Sequence, residues 1–284
     1  MRKSFWELAT EFTGLENELL TINELFEYKE FYFVFSRGTY TLRSYISSYC
    51  FATWAPRNNV TFTSIQDLMY HLNIANLVRD IKMGKKLLLD EFLLYVETIY
   101  NLVNINTSWP PETSEIRIQI TRNIELNCAR IGFEVKKIGV EQYIIVEKNA
   151  AATAVADKYA DTELDFSFKV IEYNHFLLKG NITRKREILL ALGQKFEEIR
   201  PQLESGNFKD VAKDAGLLLN KLNIRHNNTS PDSKSYNAFV AQMPQEELEA
   251  WYDKTYDILL LALLTDNFAT LHQETQNLKA LLEP

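Results

Sequence analysis

A dense group of polar side chains follows a predicted helix in the last third of the chain. An apolar stretch leads directly into Arg225, His226, Asn227 and Asn228. Arginine is a permanent cation whose fork of donors fits a phosphate group. Histidine titrates near neutral pH and can move a proton, and asparagine can orient either group. These residue types therefore favour binding of a phosphodiester and its metal-free cleavage by general acid–base catalysis.

The pattern predicts a separate role for each of the four residues. Arg225 would hold the scissile phosphate and His226 would transfer the proton. Asn227 and Asn228 would orient the substrate or the imidazole. A structural interpretation explains the same residues, because cations stabilise the negative end of a helix dipole and asparagine is favoured in turns. The spacing alone leaves both interpretations open.

Two further groups of residues are candidates to assist this loop. A small basic cluster at a helix start could contact RNA phosphates, and a solvated helix face is the alternative interpretation. That cluster consists of Lys179, Arg184, Lys185 and Arg186. The helix after the loop carries Tyr252, Asp253 and Tyr256 as supporting residues. We expect Asp253 to pair with Arg225, which would either neutralise the guanidinium or orient it.

The sequence predicts neither a metal ion nor a cofactor. Zinc sites use clustered cysteine and histidine side chains. Cys50 and Cys128 are far apart, and the four histidines never form a spaced pair on one helix. The glycine-rich loops that cradle nucleotides and the strand–serine–helix motif of hydrolases do not occur.

Apolar residues recur at gaps of three and four over most of the chain, which predicts helices. The predicted helices cover residues 3–28, 64–83, 88–104, 115–131, 149–160, 162–178, 184–204, 208–223 and 245–265, with a last one ending at 282. Residues 26–35 fit a buried helix or a strand, and 36–62 give no clear pattern. A period of two over Phe133–Ile138 and Tyr143–Glu147 predicts one β-hairpin. The predicted fold class is mainly α, a helical bundle with one small β-hairpin around 133–147.

Breaks in this pattern predict three regions. Two prolines end the stretch 106–111, which is typical of a linker. We therefore expect an N-terminal helical region over 1–105, a helix–hairpin–helix module over 112–160 and a C-terminal helical bundle over 161–284.

Composition excludes several classes of protein. A hydrophobic content of 46% excludes a disordered chain, and a net charge of −7 disfavours a protein that coats duplex DNA. The longest apolar run, Ile258–Leu264, is far shorter than the ~20 residues of a membrane helix. Two cysteines and a start without a secretory pattern predict a cytoplasmic location.

The C-terminal bundle, with Arg225 and His226 at a helix junction, resembles the HEPN superfamily, which includes many bacterial toxins and abortive-infection proteins. The motif of that superfamily is an arginine, a polar residue, about four further residues and a histidine. Arg225 and His226 match the opening pair. Ser230, Pro231 and Asp232 stand where the closing histidine is expected. His226 therefore occupies the position of the polar orienting residue.

The resemblance implies a metal-independent endoribonuclease that pairs two such motifs across a homodimer. It would act on RNA in phage defence or as a toxin. The missing closing histidine favours a second hypothesis, a non-catalytic helical interaction protein that binds RNA or protein. In that case Arg225 to Asn228 form a structural turn at a helix end. A third hypothesis is a sensor that uses its hairpin at 133–147. None of these hypotheses includes a membrane or duplex DNA as partner.

Overall fold

The computed structural model describes residues 12–51, 62–105, 109–139, 142–206 and 208–282. The chain divides into two compact units, one up to Ile145 and one from Val146 onward. This division falls inside the second strand of the predicted hairpin. The three regions predicted from the sequence place their borders elsewhere and stay a prediction. The first nine residues of the helix predicted over 3–28, and residues 106–108 of the predicted linker, lie outside the described ranges.

The predicted fold class is confirmed. In the described residues the protein is mainly α-helical, with two small antiparallel strand pairs. Over the same ranges, no helix combines the length and the apolar character that crossing a membrane requires.

The first unit consists of short helices and a small hairpin around one long apolar helix. Its elements are α1 (Leu15–Glu27), β1 (Glu30–Phe33), β2 (Gly38–Thr41), α2 (Leu42–Tyr45), α3 (Ile65–His71), α4 (Leu77–Lys82), α5 (Leu89–Val103), α6 (Ser114–Arg130) and β3 (Phe133–Gly139). A π-helical turn, Ile46–Cys50, extends α2. The strand β4 (Gln142–Glu147) pairs with β3 and continues into the second unit.

Apolar residues on nearly every side of α5 explain why this helix is central to the first unit. Phe92, Val96, Ile99 and Val103 are buried at gaps of four, three and four residues. The helices α1 and α6 pack against it. Spacing of this kind places the four side chains on one face of the helix, and burial of that face stabilises it more than intrinsic propensity does.

The hairpin β1–β2 was only partly predicted. Glu30 pairs with Thr41 and Phe33 pairs with Gly38. Each strand has four residues, which is too short for an alternating pattern to stand out from the sequence. The ring of Phe33 meets that of Tyr45 edge-on at 5.3 Å between centroids. Aromatic packing of this kind therefore accounts for the hairpin better than strand propensity does.

The second unit is a bundle of helices. Its elements after β4 are α7 (Ala150–Tyr159), α8 (Leu164–Glu172), α9 (Ile182–Ser205), α10 (Lys209–Lys221), α11 (Ala238–Ala241) and α12 (Gln245–Leu282). The helix α9 packs against both α10 and α12, and α7 packs against α8 and α12. The helix predicted over 162–178 is shorter than expected, since α8 ends at Glu172 and a 3₁₀ turn, Phe176–Leu178, follows.

The helix predicted over 245–265 and the last predicted helix form one continuous element. The sequence contains neither glycine nor proline between Gln245 and Leu282, so no residue breaks the helix. Its first half is part of the core, with Tyr252, Leu259 and Leu263 fully buried.

Candidate functional site

A tight loop closes immediately after α10. Asn223 has a left-handed backbone with a φ of 58°, a conformation in which asparagine is enriched. Its N–H donates to Oδ1 of Asn228 at 2.8 Å, and the N–H of Asn228 donates to Oδ1 of Asn223 at 3.0 Å. The two amides therefore fix both ends of the loop that carries Arg225 and His226.

The Arg225 side chain lies against α9 and is only 18% exposed. Its Nη2 donates to the backbone oxygen of Gly193 at 2.7 Å, and its Nη1 donates to a carboxylate oxygen of Glu197. A Cβ on Gly193 would approach a methyl group of Leu219 to 2.9 Å. Glycine therefore lets α9 and α10 pack closely here, and the guanidinium connects the loop to α9.

His226 and Asn227 are exposed on the same loop. Oδ1 of Asn227 accepts hydrogen bonds from the N–H groups of Ser230 at 3.0 Å and Thr229 at 3.3 Å, which is the pattern of an Asx turn. In the part of the chain that the structure describes, the His226 imidazole takes part in no hydrogen bond or ion pair. Of the two residues predicted to be catalytic, His226 is thus the more accessible to solvent.

Asn228 is enclosed by the loop, and only 1% of its surface is exposed. Its Nδ2 donates to the carbonyl oxygen of Ser235 at 2.7 Å, and its own carbonyl oxygen accepts from the N–H of Asn237 at 2.9 Å. Buried polar groups are normally satisfied in this way. The Asn228 amide is therefore engaged within the protein, whereas the sequence predicted it as a substrate contact.

Two arginines of the predicted basic cluster are held by neighbouring groups. The Arg184 guanidinium donates from Nε and Nη2 to both carboxylate oxygens of Glu172, at 2.7 and 2.8 Å, and from Nη1 to Glu187 at 2.8 Å. These hydrogen bonds raise the pKa of Arg184 above its ordinary value. Nε of Arg186 donates to the carbonyl oxygen of Ile224 at 3.2 Å. The cluster thus helps to hold α9 in place.

Lys185 is buried between two carboxylates of α12. Its Nζ lies 2.8 Å from an oxygen of Glu249 and 2.7 Å from an oxygen of Asp253. Burial opposes ionisation of Glu249, but the hydrogen bonds from Lys185 and from the N–H of Gly180 outweigh it and lower the pKa of the carboxyl group. Of the four predicted cations, only Lys179 is classed as exposed.

The expected pairing of Asp253 with Arg225 is wrong. The register of α9 against α12 places Lys185 beside Asp253, and the phenol of Tyr173 also donates to the same carboxylate at 2.9 Å. The Tyr173 ring stacks on that of Tyr256 with 4.0 Å between centroids and 11° between planes. Burial and the nearby Asp253 charge raise the pKa of Tyr173, so the phenol stays protonated and donates.

The two predicted supporting tyrosines belong to the core. The Tyr256 hydroxyl donates to the carbonyl oxygen of Val170 at 2.6 Å and accepts from Nδ2 of Asn174 at 2.7 Å. Tyr252 is fully buried, and among the residues that the structure describes its hydroxyl has no hydrogen-bond partner. Burial raises the pKa of both phenols. Both side chains are therefore neutral, and they are not accessible to a substrate in solution.

Lys185, Asp253, Glu249 and Tyr173 form one polar cluster. The sequence did not predict Glu249 or Tyr173 as part of the site. Glu249 could have been found, because it lies one helical turn before Asp253 and the two carboxylates share a face of α12. Tyr173 lies inside the apolar helix predicted over 162–178 and gives no comparable signal. The cluster holds one buried cation between two anions, which is an arrangement that fixes helix register.

A separate groove of about 560 Å³ lies beside α8 and α9. Its lining includes Asp165 and Lys169, together with Lys195, whose Nζ contacts Glu163 at 2.6 Å and Glu198 at 2.5 Å. None of the lining residues belongs to the predicted site. The lining has charges of both signs and therefore does not favour one class of ligand.

Across the described ranges, no group of three or more His, Cys, Asp or Glu side chains is arranged to hold a metal ion. No protein-family model, curated protein or solved structure matches the chain. The likeness to the HEPN superfamily consequently stays a prediction.

Proposed function

We propose that the protein is a non-catalytic helical interaction protein and that the Arg225 loop is a structural element of its second unit. The observation that carries this proposal is the position of the Arg225 guanidinium, which donates to Gly193 and Glu197 and is mostly buried. Binding a phosphate would require the arginine to give up a carbonyl and a carboxylate that already satisfy it.

The charges of the same region support a protein rather than RNA as the partner. RNA affinity depends on cations that are available to phosphates. Arg184 and Lys185 are instead held by carboxylates, Arg186 donates to a backbone carbonyl, and the chain as a whole has a net charge of −7. A module of this kind would recognise its partner mainly by shape and apolar contacts.

A metal-independent ribonuclease is the second candidate, and the exposure of His226 and Asn227 beside Arg225 favours it. This alternative carries the roles in phage defence or as a toxin, the RNA substrate and the homodimer that the HEPN resemblance implies. Arg225 would have to leave Glu197 when RNA binds, and His226 would have to transfer the proton without a second histidine in the motif.

A metal-free cleavage assay decides between the two candidates. Total RNA is incubated with the wild-type protein, His226→Ala and Arg225→Ala in the presence of EDTA, after circular dichroism has shown that each variant is folded. We expect the RNA to remain intact with all three proteins. Equal cleavage by all three would identify a contaminating nuclease. Cleavage by the wild type that disappears in both variants would overturn the proposal.

RNA binding is tested separately by fluorescence anisotropy with a labelled single-stranded RNA at low salt, where electrostatic binding is strongest. We expect no saturable binding. Saturable binding that Lys179→Glu leaves unchanged, but that is lost at higher salt, would indicate an RNA-binding surface elsewhere and would contradict a protein partner.

A further inference from the structure

The last three turns of α12 are exposed to solvent. This holds for every residue whose side chain is described from Leu271 to Leu282. Leu271 and Leu278 expose 59% and 54% of their surfaces, and Leu281 and Leu282 expose more. An isolated helix of this length is marginal in water, and exposed leucines cost further free energy. A partner that covers them would therefore stabilise the segment.

The leucines of this segment follow a heptad repeat. Counting Leu261 as position a, Leu264, Leu271 and Leu278 occupy successive d positions, and Leu282 falls on a again. In the sequence, position a of the two intervening heptads is occupied by Phe268 and Thr275. A repeat of alternating three- and four-residue gaps forms the apolar seam of a coiled coil. The seam begins at Leu261 and Leu264, which are exposed and partly exposed where α12 leaves the bundle.

The charges beside the seam favour a second copy of the chain as the partner, with the two helices parallel. Glu274 occupies position g and Lys279 occupies the e position five residues later. In a parallel pair of helices, each g residue lies opposite the e residue of the following heptad on the other chain. Two copies would thus form two Glu274–Lys279 pairs, one on each side of the seam. An antiparallel pair would instead bring g beside g and e beside e, and this complementarity would be lost.

We propose that the segment Leu261–Leu282 forms a parallel two-stranded coiled coil with the same segment of a second copy of the chain. The outer positions support this assignment, since Gln276 and Asn277 are polar and exposed on the face away from the seam. Self-association of this kind does not depend on the proposed function, because it leaves the Arg225 loop unchanged and would serve an interaction protein or a ribonuclease equally.

Sedimentation equilibrium over a range of concentrations tests the proposal with the full chain. We expect the wild type to reach twice the mass of one chain, and Leu271→Glu combined with Leu278→Glu to remain a monomer. The matched control is Gln276→Glu combined with Asn277→Glu, which adds the same charge on the outer face and keeps the dimer. A wild type that is monomeric at every concentration, or a dimer that survives the seam substitutions, would overturn the proposal.

Charge reversal tests the parallel arrangement. Glu274→Lys and Lys279→Glu should each weaken the homodimer about fivefold, because each creates like-charge pairs across the seam. An equimolar mixture of the two variants should restore wild-type affinity, since one chain then carries only lysines and the other only glutamates at these positions. Single variants that dimerise as tightly as the wild type would contradict parallel pairing, because an antiparallel pair has like charges at g–g and e–e before and after each substitution.

A single cysteine provides an independent test of register. Leu278→Cys should form an interchain disulfide on mild oxidation, because facing d residues in a parallel coil meet the separation that a disulfide needs. The native Cys50 and Cys128 are buried and should give little background. Failure of Leu278→Cys to cross-link in a sample that is dimeric by sedimentation would exclude the proposed register.

Discussion

The loop after α10 and the end of α12 belong to the same unit, but their side chains differ in whether they find partners within the protein. In the loop, Arg225 and Asn228 direct their polar groups to backbone carbonyls and to neighbouring side chains. At the end of α12, Leu271 and Leu278 stay in solvent. Polar groups that could bind a ligand are hydrogen-bonded within the protein, whereas apolar groups that could pack in the core are exposed.

The difference shows how structural residues can be separated from interaction residues by their partners and their exposure. A donor-rich loop is a poor guide to chemistry when its donors are satisfied inside the protein. An apolar stripe that continues past the core is more informative, because the stripe must be covered to be stable.

The largest effect is expected at Lys185. Removal of its ammonium group by Lys185→Ala takes away the buried cation that Glu249 and Asp253 share, and we expect the free energy of unfolding to fall by about 3 kcal/mol. Urea unfolding measures the change. The control Lys179→Ala removes an exposed cation and should change the stability by less than about 0.5 kcal/mol. Equal effects of the two substitutions would show that the buried cluster does not fix the bundle.

Asn228 and its exposed neighbour Asn227 provide a matched pair within the loop. Asn228→Ala leaves the N–H of Asn223 and the carbonyl of Ser235 unsatisfied, so we expect a loss of about 2 kcal/mol in urea unfolding. Asn227→Ala removes one Asx turn at the surface and should cost about 0.5 kcal/mol. A smaller loss for Asn228→Ala than for Asn227→Ala would refute the structural role of the loop.

The Glu249 carboxyl group predicts a dependence of stability on pH. Its pKa in the folded protein lies below the ordinary value of 4.5. The stabilisation by Glu249 is therefore complete above that value and is lost as the pH falls through the lower pKa of the folded state. We measure how much the free energy of unfolding in urea falls between neutral and acidic pH. This fall should be about 1 kcal/mol smaller for Glu249→Gln than for the wild type. The exposed control Glu246→Gln should retain the wild-type profile, and identical profiles for both variants would contradict the assignment.

The smallest effect on folding is expected at the end of α12. At dilutions where the chain is monomeric, Leu278→Ala should change the free energy of unfolding by less than about 0.5 kcal/mol, because more than half of the Leu278 surface is exposed. Leu192→Ala, at a fully buried position of α9, should cost about 3 kcal/mol. A large loss for Leu278→Ala under these conditions would mean that the segment packs within its own chain.

Most of the long helices and the hairpin β3–β4 could be predicted from the sequence, because their apolar residues recur with periods of 3.6 and two. The short helices α2 and α11 were not predicted, and the single helix predicted over 64–83 is divided into α3 and α4 at Asn73, whose φ is 59°. The hairpin β1–β2 could not be predicted, since four-residue strands are too short for a period to be recognised. The continuity of α12 could have been predicted from the absence of glycine and proline after Gln245.

Some members of the site were predicted, but Glu249, Tyr173 and the pairings were not. Arg225, Lys185 and Asp253 were all identified as candidates from their types and positions. Their partners depend on how α9 sits against α10 and α12, which is a long-range property that local patterns do not contain. In this register Arg225 contacts Glu197 and Gly193, and Asp253 pairs with Lys185.

The unfolding free energies of Arg225→Ala and His226→Ala, measured side by side in urea, test the central claim most directly. If Arg225 is structural, its removal should cost about 2 kcal/mol through the lost bonds to Gly193 and Glu197, while His226→Ala should stay within about 0.5 kcal/mol of the wild type. Wild-type stability in both variants would contradict the account, because it would leave Arg225 without a role in folding and return it to the set of residues that act on a ligand.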